Sequence, residues 1–408
     1  MILDRYNKTF SLLSLFFLIY FFIIPMLLVY FFGGVYLGES LSIKTSKLYF
    51  LIFSLVVFIT GFLCVDLFSS VASKLSRPKL VTIEKATALK DVPISGFVYL
   101  CIFVYFLYVM YQIFFLNIAV KTYAIRTGEE NSDLTSFFIL NVFNALKLFI
   151  LMCLLSGNKV KQSFFVVLFF LLALMLQSSG RLSLLLNLCI LLMFLLPLKP
   201  QRLALMIIPS VVLLLPLIFS LKEIIYSVST EYAFDFTILN TLKATKEAFL
   251  LNFGHPFVSY LQIDSLIELM GFRYMWDYPQ GFLFYLKLIG LDFGDSITYY
   301  NTEAILGVRK SIIPPGYFAF GYAQLGMLGV FFAGITYRLI GKLGELFYRI
   351  FFKNVNTSAK ALYIAEFYIA FICANSFYHG DLRILVMSLF FPMLFSIILK
   401  RLYQNESV

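Results

Sequence analysis

The sequence predicts an all-α polytopic membrane protein of about ten transmembrane helices, with one large extramembrane loop between helices 7 and 8. Three observations carry this. Of the 408 residues, 61% are hydrophobic and only 13% are charged, about half the charged share of a soluble domain. The apolar residues gather in runs, most of them near the roughly 20 residues that cross a bilayer core. Basic residues are spread unevenly over the segments between runs, as cytoplasmic loops require. So little polar surface cannot cover a soluble globule of this size, which excludes a soluble cytosolic enzyme.

The runs fall, in chain order, at about 10–32, 48–68, 96–116, 135–156, 162–177, 182–198, 203–221, 316–337, 361–377 and 382–399. Arg5 and Lys8 precede the first run. It is too long for a signal peptide and no small-residue cleavage site follows, so it is expected to be an uncleaved span. The fifth and sixth runs are short and joined by Ser178–Arg181, which predicts a tight helical hairpin. The domain plan is therefore 1–221 for helices 1–7, 222–315 for the loop and 316–408 for helices 8–10.

Orientation follows from the basic residues. With the N-terminus inside, the inner segments hold 18 of them, including Lys74, Arg77, Lys159, Lys199, Arg338, Lys342, Arg349 and Lys400. The short outer loops hold six: Lys44, Lys47, Lys121, Arg126, Arg181 and Arg383. Both termini are expected in the cytoplasm, and residues 222–315 outside. Within that loop, His255-Pro256 opens an amphipathic helix predicted to run to about Met270, because Pro suits a first helical turn. Gly281–Leu291 is apolar but too short to span, and is expected to lie on or dip into the outer leaflet.

Cys64, Cys101, Cys153, Cys189 and Cys373 sit inside apolar runs without paired spacing and read as small core residues. Two histidines are too few for a His-rich metal centre, and no metal or cofactor is expected. The net charge of +10 is first a topology signal, so nucleic acid is not expected as a partner. Asn141, Asn144 and Lys147 share one face of the fourth span, and Glu366 lies in the ninth. Charges in lipid cost roughly 2.5–3.5 kcal/mol on insertion scales, so they should face the bundle interior. A structural Lys147–Glu366 pair is the favoured reading over a proton or ion path.

Three inward-running helices start with basic residues. Gln177–Arg181 opens the sixth span, Arg309–Gly316 the eighth, and His379–Arg383 the tenth. A helix N-terminus already carries partial positive charge, which disfavours Arg there unless an anion binds. Free backbone N–H groups and guanidinium would then share that anion. Arg181, Arg309, Lys310 and Arg383 are therefore candidates for a phosphate-rich ligand; lipid headgroups or loop carboxylates are the plainer partners. The loop also holds Trp276, Tyr278, Phe282, Phe284, Tyr285, Tyr299 and Tyr300 among Asp264, Glu268, Asp277, Asp292, Asp295 and Glu303. Rings with neighbouring carboxylates suit sugar binding, and equally an interfacial aromatic belt. His255 is the best candidate base by chemistry, followed by Asp264, Glu268 and His379, with Arg273 as a further cation.

This arrangement resembles the bacterial O-antigen polymerases (Wzy type), the oligosaccharide repeat-unit polymerases and the related O-antigen ligases. Ser178-Ser179-Gly180-Arg181-Leu182-Ser183 is similar to a small-small-Gly-Arg span start in that family. The Gly-rich stretch Pro314–Gly329 is similar to the span that follows its large loop. Some members carry an Arg with ten residues between it and a Gly. Here Lys310 stands at that distance from Gly321 and Arg309 one residue farther, so either basic residue fits the place. The resemblance implies a GT-C-like helical bundle and a metal-independent glycosyltransferase of the bacterial inner membrane. Donor and acceptor would be undecaprenyl-pyrophosphate-linked glycans, with membrane lipids and a chain-length regulator protein as further partners. The residues alone leave open an O-antigen ligase, or a flippase for lipid-linked oligosaccharide. The lack of an internal repeat and the size of the outer loop weigh against the flippase.

Overall fold

The computed structural model describes residues 2–75, 96–114, 134–156, 238–283, 294–309, 313–352 and 358–405, with parts of 186–206 and of 286–291. Among these, four helices are long and apolar enough to cross a membrane: Arg5–Phe32, Thr45–Ser69, Gly316–Phe352 and Ala359–His379. Shorter apolar helices cover Phe97–Tyr111 and Val142–Cys153. The protein is thus an all-α membrane protein over its described length, apart from one small hairpin. The predicted run at 162–177 lies outside the described residues, as do most of 182–198 and 203–221.

Helix α1 is continuous through Ile2–Leu18, a π-helical turn at Ile19–Ile23, and Ile24–Phe32. The π turn has a local cause. Pro25 has no N–H to offer, and the helix widens just before it, with Ile24 N–H reaching back to Ile19 O. The same device recurs at Pro392, where the π turn Val386–Phe390 precedes Phe391–Asn405. After α1 comes a two-stranded antiparallel hairpin, β1 (Gly34–Tyr36) and β2 (Glu39–Leu41). Then follow α2 (Thr45–Leu75), α3 (Gly96–Phe114) and α4 (Leu134–Ser156).

The predicted helix from His255 to Met270 forms, but as two pieces. After α5 (Ile238–Phe253), α6 spans His255–Leu261 and α7 spans Ile263–Met270, broken at Gln262 (φ −95°, ψ 22°). Then come α8 (Asp277–Leu283), α9 (Ile297–Leu306), α10 (Gly316–Phe352), α11 (Ala359–His379) and α12, which begins at Leu382–Leu385 and continues through the π turn to Asn405.

α10 corrects the predicted eighth span. Leu325 (φ −150°) and Gly326 (φ 60°) leave the helix, and the chain folds back on itself there. A Cβ on Gly321 would stand 2.7 Å from both Ala333 Cβ and the Gly329 carbonyl oxygen. In an unbroken helix, residues eight and twelve apart would be about 12 and 18 Å away along the axis. Residues 316–324 and 327–352 therefore form an antiparallel hairpin, and only the second arm is long enough to cross, at about 39 Å. Arg338 and Lys342, expected in an inner loop, lie within that arm.

The core is the bundle of α1, α2, α10 and α11. It is dominated by large rings: Tyr6, Phe10, Phe16, Phe17, Phe21, Tyr317, Tyr337 and Tyr348 are all fully buried. α2 and α10 approach closely at Gly61 and Gly334, each facing the other helix's backbone, as small residues permit between membrane helices. Charges do sit in the interior, as partnered groups. Arg338 is 2% exposed and donates to Asp66 Oδ1 at 2.7 and 2.9 Å and to Asn7 Oδ1 at 3.0 Å. Its guanidinium lies against the Phe10 and Phe62 rings. Lys342 and Arg349 both bond Glu345.

The predicted Lys147–Glu366 pair is corrected here. The Glu366 carboxylate accepts from Arg5 Nε, from Thr9 at 2.7 Å and from Gln201 at 3.4 Å. Its face of α11 packs against α1, and three donors converge there on one carboxylate. Arg5 also lies over the Tyr363 ring, 4.4 Å from its centroid.

Candidate functional site

The start of α6 and the α11–α12 corner bring His255, His379 and the backbone of Arg383 close together, and glycines set how closely these parts meet. α11 ends at Gly380, which is left-handed (φ 59°). A Cβ on Gly380 would fall 2.2 Å from the Gly316 carbonyl, and one on Gly316 would fall 2.5 Å from Pro256 Cβ. The start of α6, the start of α10 and the α11–α12 corner are thus in direct contact.

Buried hydrogen bonds fasten the chain that leads into α10. Asn301 Nδ2 donates to Ser259 Oγ and to Ile313 O, both at 2.9 Å. Ile313 N–H donates to Thr302 Oγ1 at 3.0 Å, and Thr298 donates to Asp381 at 2.5 Å. α9 therefore presents one polar face, Thr298, Asn301 and Thr302, to α6, to the 313–316 segment and to the α11–α12 corner. Asn301, a loop position by sequence, is fully inside.

His255 is half-buried at the first turn of α6. Its Nδ1 is hydrogen-bonded to the Tyr36 hydroxyl, and its ring meets the edges of Tyr36 and Tyr378 at centroid distances of 5.5 and 6.1 Å. Burial pushes the Tyr36 phenol well above its ordinary pKa, so it remains a neutral hydroxyl. His379 follows Tyr378 at the end of α11, with the two rings 5.3 Å apart. Arg383 lies in the first turn of α12, three residues past Gly380, and its side chain is outside the described atoms. Arg181 and Lys310 lie outside the described residues.

Arg309 and Arg273 form a second group on another face of α9. Arg309 donates twice to Asp295 Oδ2 at 3.0 Å and once to Glu303 at 3.1 Å. It also lies 4.5 Å from the Tyr300 ring centroid. Arg273 reaches the same ring at 5.7 Å and donates to the Asp295 carbonyl at 3.3 Å. Its main partner is the buried carboxylate of Asp277, gripped at 3.0 and 3.2 Å, which also accepts from Gln324 at 2.6 Å. The loop between Arg273 and Asp277 carries two left-handed residues, Tyr274 (φ 48°) and Met275 (φ 66°). Backbone bonds from Arg273 and Tyr274 to Ala323 and Gln324 seat it on the tip of the α10 hairpin.

Two other candidates stand elsewhere. Asp264 is exposed and pairs with Lys47 at 2.7 Å, and Glu268 is exposed on the same helix. Sequence reasoning did not find Tyr36 or Thr298. The signal for Tyr36 was the Tyr36-Leu37-Gly38-Glu39 turn, which lacks the Asn-Gly or Asp-Gly pair that marks most two-residue hairpins.

The arrangement offers an imidazole and an adjoining helix start with an Arg in its first turn. On another face of α9 lies a pair of arginines held by carboxylates. No family model, no curated protein and no solved structure matches the chain.

Proposed function

We propose that this chain is a metal-independent membrane glycosyltransferase. It polymerises undecaprenyl-pyrophosphate-linked repeat units on the periplasmic face of the bacterial inner membrane. The reading includes ten spans with both termini cytoplasmic and residues 222–315 periplasmic, the arrangement the basic residues favour. The observation that supports it is the contact of the His255 helix with the Gly380 corner through Gly316, an imidazole-bearing helix start beside one that carries Arg383 in its first turn.

In this reaction an acceptor sugar hydroxyl attacks the anomeric carbon of the donor glycan. A new glycosidic C–O bond forms, the bond to the diphosphate oxygen breaks, and its electron pair leaves with the diphosphate. His255 takes the hydroxyl proton and becomes imidazolium. Arg181, Arg383 and Arg309 or Lys310 balance the charge that develops on the leaving group. Arg309 serves only once Asp295 and Glu303 release it.

The test is deletion of the gene followed by gel analysis of lipopolysaccharide. A single repeat unit on core is the expected outcome. Core without any repeat would point to a ligase or flippase, and long chains at normal levels would sink the reading.

A further inference from the structure

The loop from Gly271 to Trp276 reverses the usual order of a loop in water. Its one charged residue, Arg273, turns inward and grips the buried Asp277 carboxylate, which Gln324 also holds from the α10 hairpin. Its rings turn outward: Phe272 and Trp276 are exposed, and Tyr274 is 76% exposed. Backbone fixes this shape. Arg273 and Tyr274 donate to the Ala323 and Gln324 carbonyls at 2.9 and 3.0 Å, and Trp276 N–H donates to Arg273 O at 2.9 Å. Tyr274 and Met275 adopt positive φ without glycine. A costly backbone that presents three rings and hides its charge suits a half-apolar surrounding.

α2 measures how deep this loop lies. Its exposed residues change character at Tyr49. Just before it they are Lys44, Thr45 and Ser46, and from Tyr49 to Phe68 they are apolar save Thr60. That stripe is about 29 Å long at 1.5 Å per residue, close to the roughly 30 Å of a bilayer's hydrocarbon core, so Tyr49 marks one edge of the core. α7, which leads into the loop, starts on the polar side of this edge, where Asp264 bonds Lys47. The tip of the α10 hairpin lies at the edge itself. The Tyr322 and Phe50 ring centroids are 5.6 Å apart, and Met327 Sδ is 3.6 Å from Ser54 Oγ. Phe272 packs on Tyr322 at 6.2 Å, so the loop shares this level.

We propose that Phe272, Tyr274 and Trp276 anchor the α10 hairpin in the lipid interface, among the headgroups and first methylenes of the leaflet at the Thr45 end of α2. Trp and Tyr favour that boundary because each joins an apolar ring to a polar edge. A glycan platform would show the same rings to water; the level of Tyr49 and the inward turn of Arg273 favour lipid. The placement is the same for either orientation of the bundle and for any reaction.

Trp276 is the chain's one tryptophan, so the native protein carries its own probe. The full chain is reconstituted in phosphatidylcholine nanodiscs, whose two faces are both open to solvent, and Trp276 emission is measured with brominated lipid and with iodide. Lipid brominated just below the headgroups should remove most of the emission, lipid brominated near the chain ends less, and iodide little. That is the pattern of a ring roughly 5–10 Å into the headgroup–acyl boundary. Moving the probe, with Trp276→Phe and Tyr274→Trp together, should give the same result. Quenching by iodide and by neither lipid would put the loop in water, as a glycan platform requires, and overturn the proposal. No response to any quencher, or stronger quenching from the chain ends, would overturn it too. Should the double variant fail to fold, the wild-type measurement alone still decides.

Discussion

Gly321 and Gly329 touch backbone to backbone across the α10 hairpin. A Cβ on Gly329 would stand 1.9 Å from the Gly321 carbonyl oxygen, where backbone cannot give way cheaply. Gly329→Ala should therefore force the arms apart and destabilise the protein by about 1–3 kcal/mol, the usual range for overpacking. Thermal unfolding in detergent reads this directly. An unchanged melting temperature would mean that the two arms do not pack this way.

Arg338 gives a prediction from charge. Its side chain is 3% exposed, while its partner Asp66 is 37% exposed and also has Lys342 at 3.7 Å. Arg338→Met leaves Asp66 with the weaker partner. Breaking a fully buried pair costs about 3–5 kcal/mol, and the partial exposure of Asp66 brings the expected loss to roughly 2–3 kcal/mol. Asp66→Asn with Arg338→Met should recover part of it, and a double-mutant cycle on melting temperature measures how much.

For His255, two substitutions separate chemistry from shape. Both His255→Ala and His255→Gln should fold, and both should reduce polymerisation by about 10²–10⁴-fold if the imidazole takes a proton. Gln keeps a hydrogen bond but accepts no proton at this pH. Normal polymer from His255→Gln, with a defect in His255→Ala, would reduce the residue to a spacer between Tyr36 and Tyr378.

Arg309 yields a gain rather than a loss. Asp295→Asn removes the carboxylate that holds it and leaves Glu303. Inorganic pyrophosphate should then inhibit polymerisation at lower concentration, by up to roughly fivefold, as suits an exposed pair. Arg181→Ala should abolish polymer and Arg181→Lys restore little, because ammonium cannot grip two oxygens at once. No change in inhibition with Asp295→Asn would remove Arg309 from the anion's path.

Sidedness is read with a single cysteine at Ser265, an exposed position on α7, in a cysteine-free background. An impermeant maleimide should label it in intact spheroplasts. Labelling only after permeabilisation would put residues 222–315 in the cytoplasm and the proposed reaction with them. Asn301 would be a poor choice, since it is 1% exposed.

Several elements were legible because one property decides them. Length and apolarity are enough for α3, α4 and α11, whose bounds lie close to those of the predicted runs, and for the existence of α1 and α2, each of which extends seven or eight residues past its run at the polar end. Pro256 marked the start of α6, since proline is tolerated in a first turn. The reversal at Leu325–Gly326 was hidden because hydropathy carries no direction: an apolar hairpin and an apolar span read alike. Its trace was the crowding of Gly316, Gly321, Gly326 and Gly329. The partner of Glu366 was hidden for another reason. Lys147 and Arg5 are equivalent by charge, and only the register of α1 on α11 decides between them. The His255 site was half legible: its imidazole stands out by chemistry, but Tyr36 arrives from a short link whose turn carries no strong signal.

The Arg5–Glu366 bond joins residues separated by 361 positions. At ordinary synthesis rates of about 5–20 residues per second, their emergence is separated by tens of seconds. Through that interval the helix that carries Arg5 has been made and the carboxylate that bonds it has not. Assembly of this bundle therefore waits on α11: the helix that carries Arg5 gains this neighbour only after Glu366 has been made. A chain stopped before Glu366 would hold Arg5 without that carboxylate.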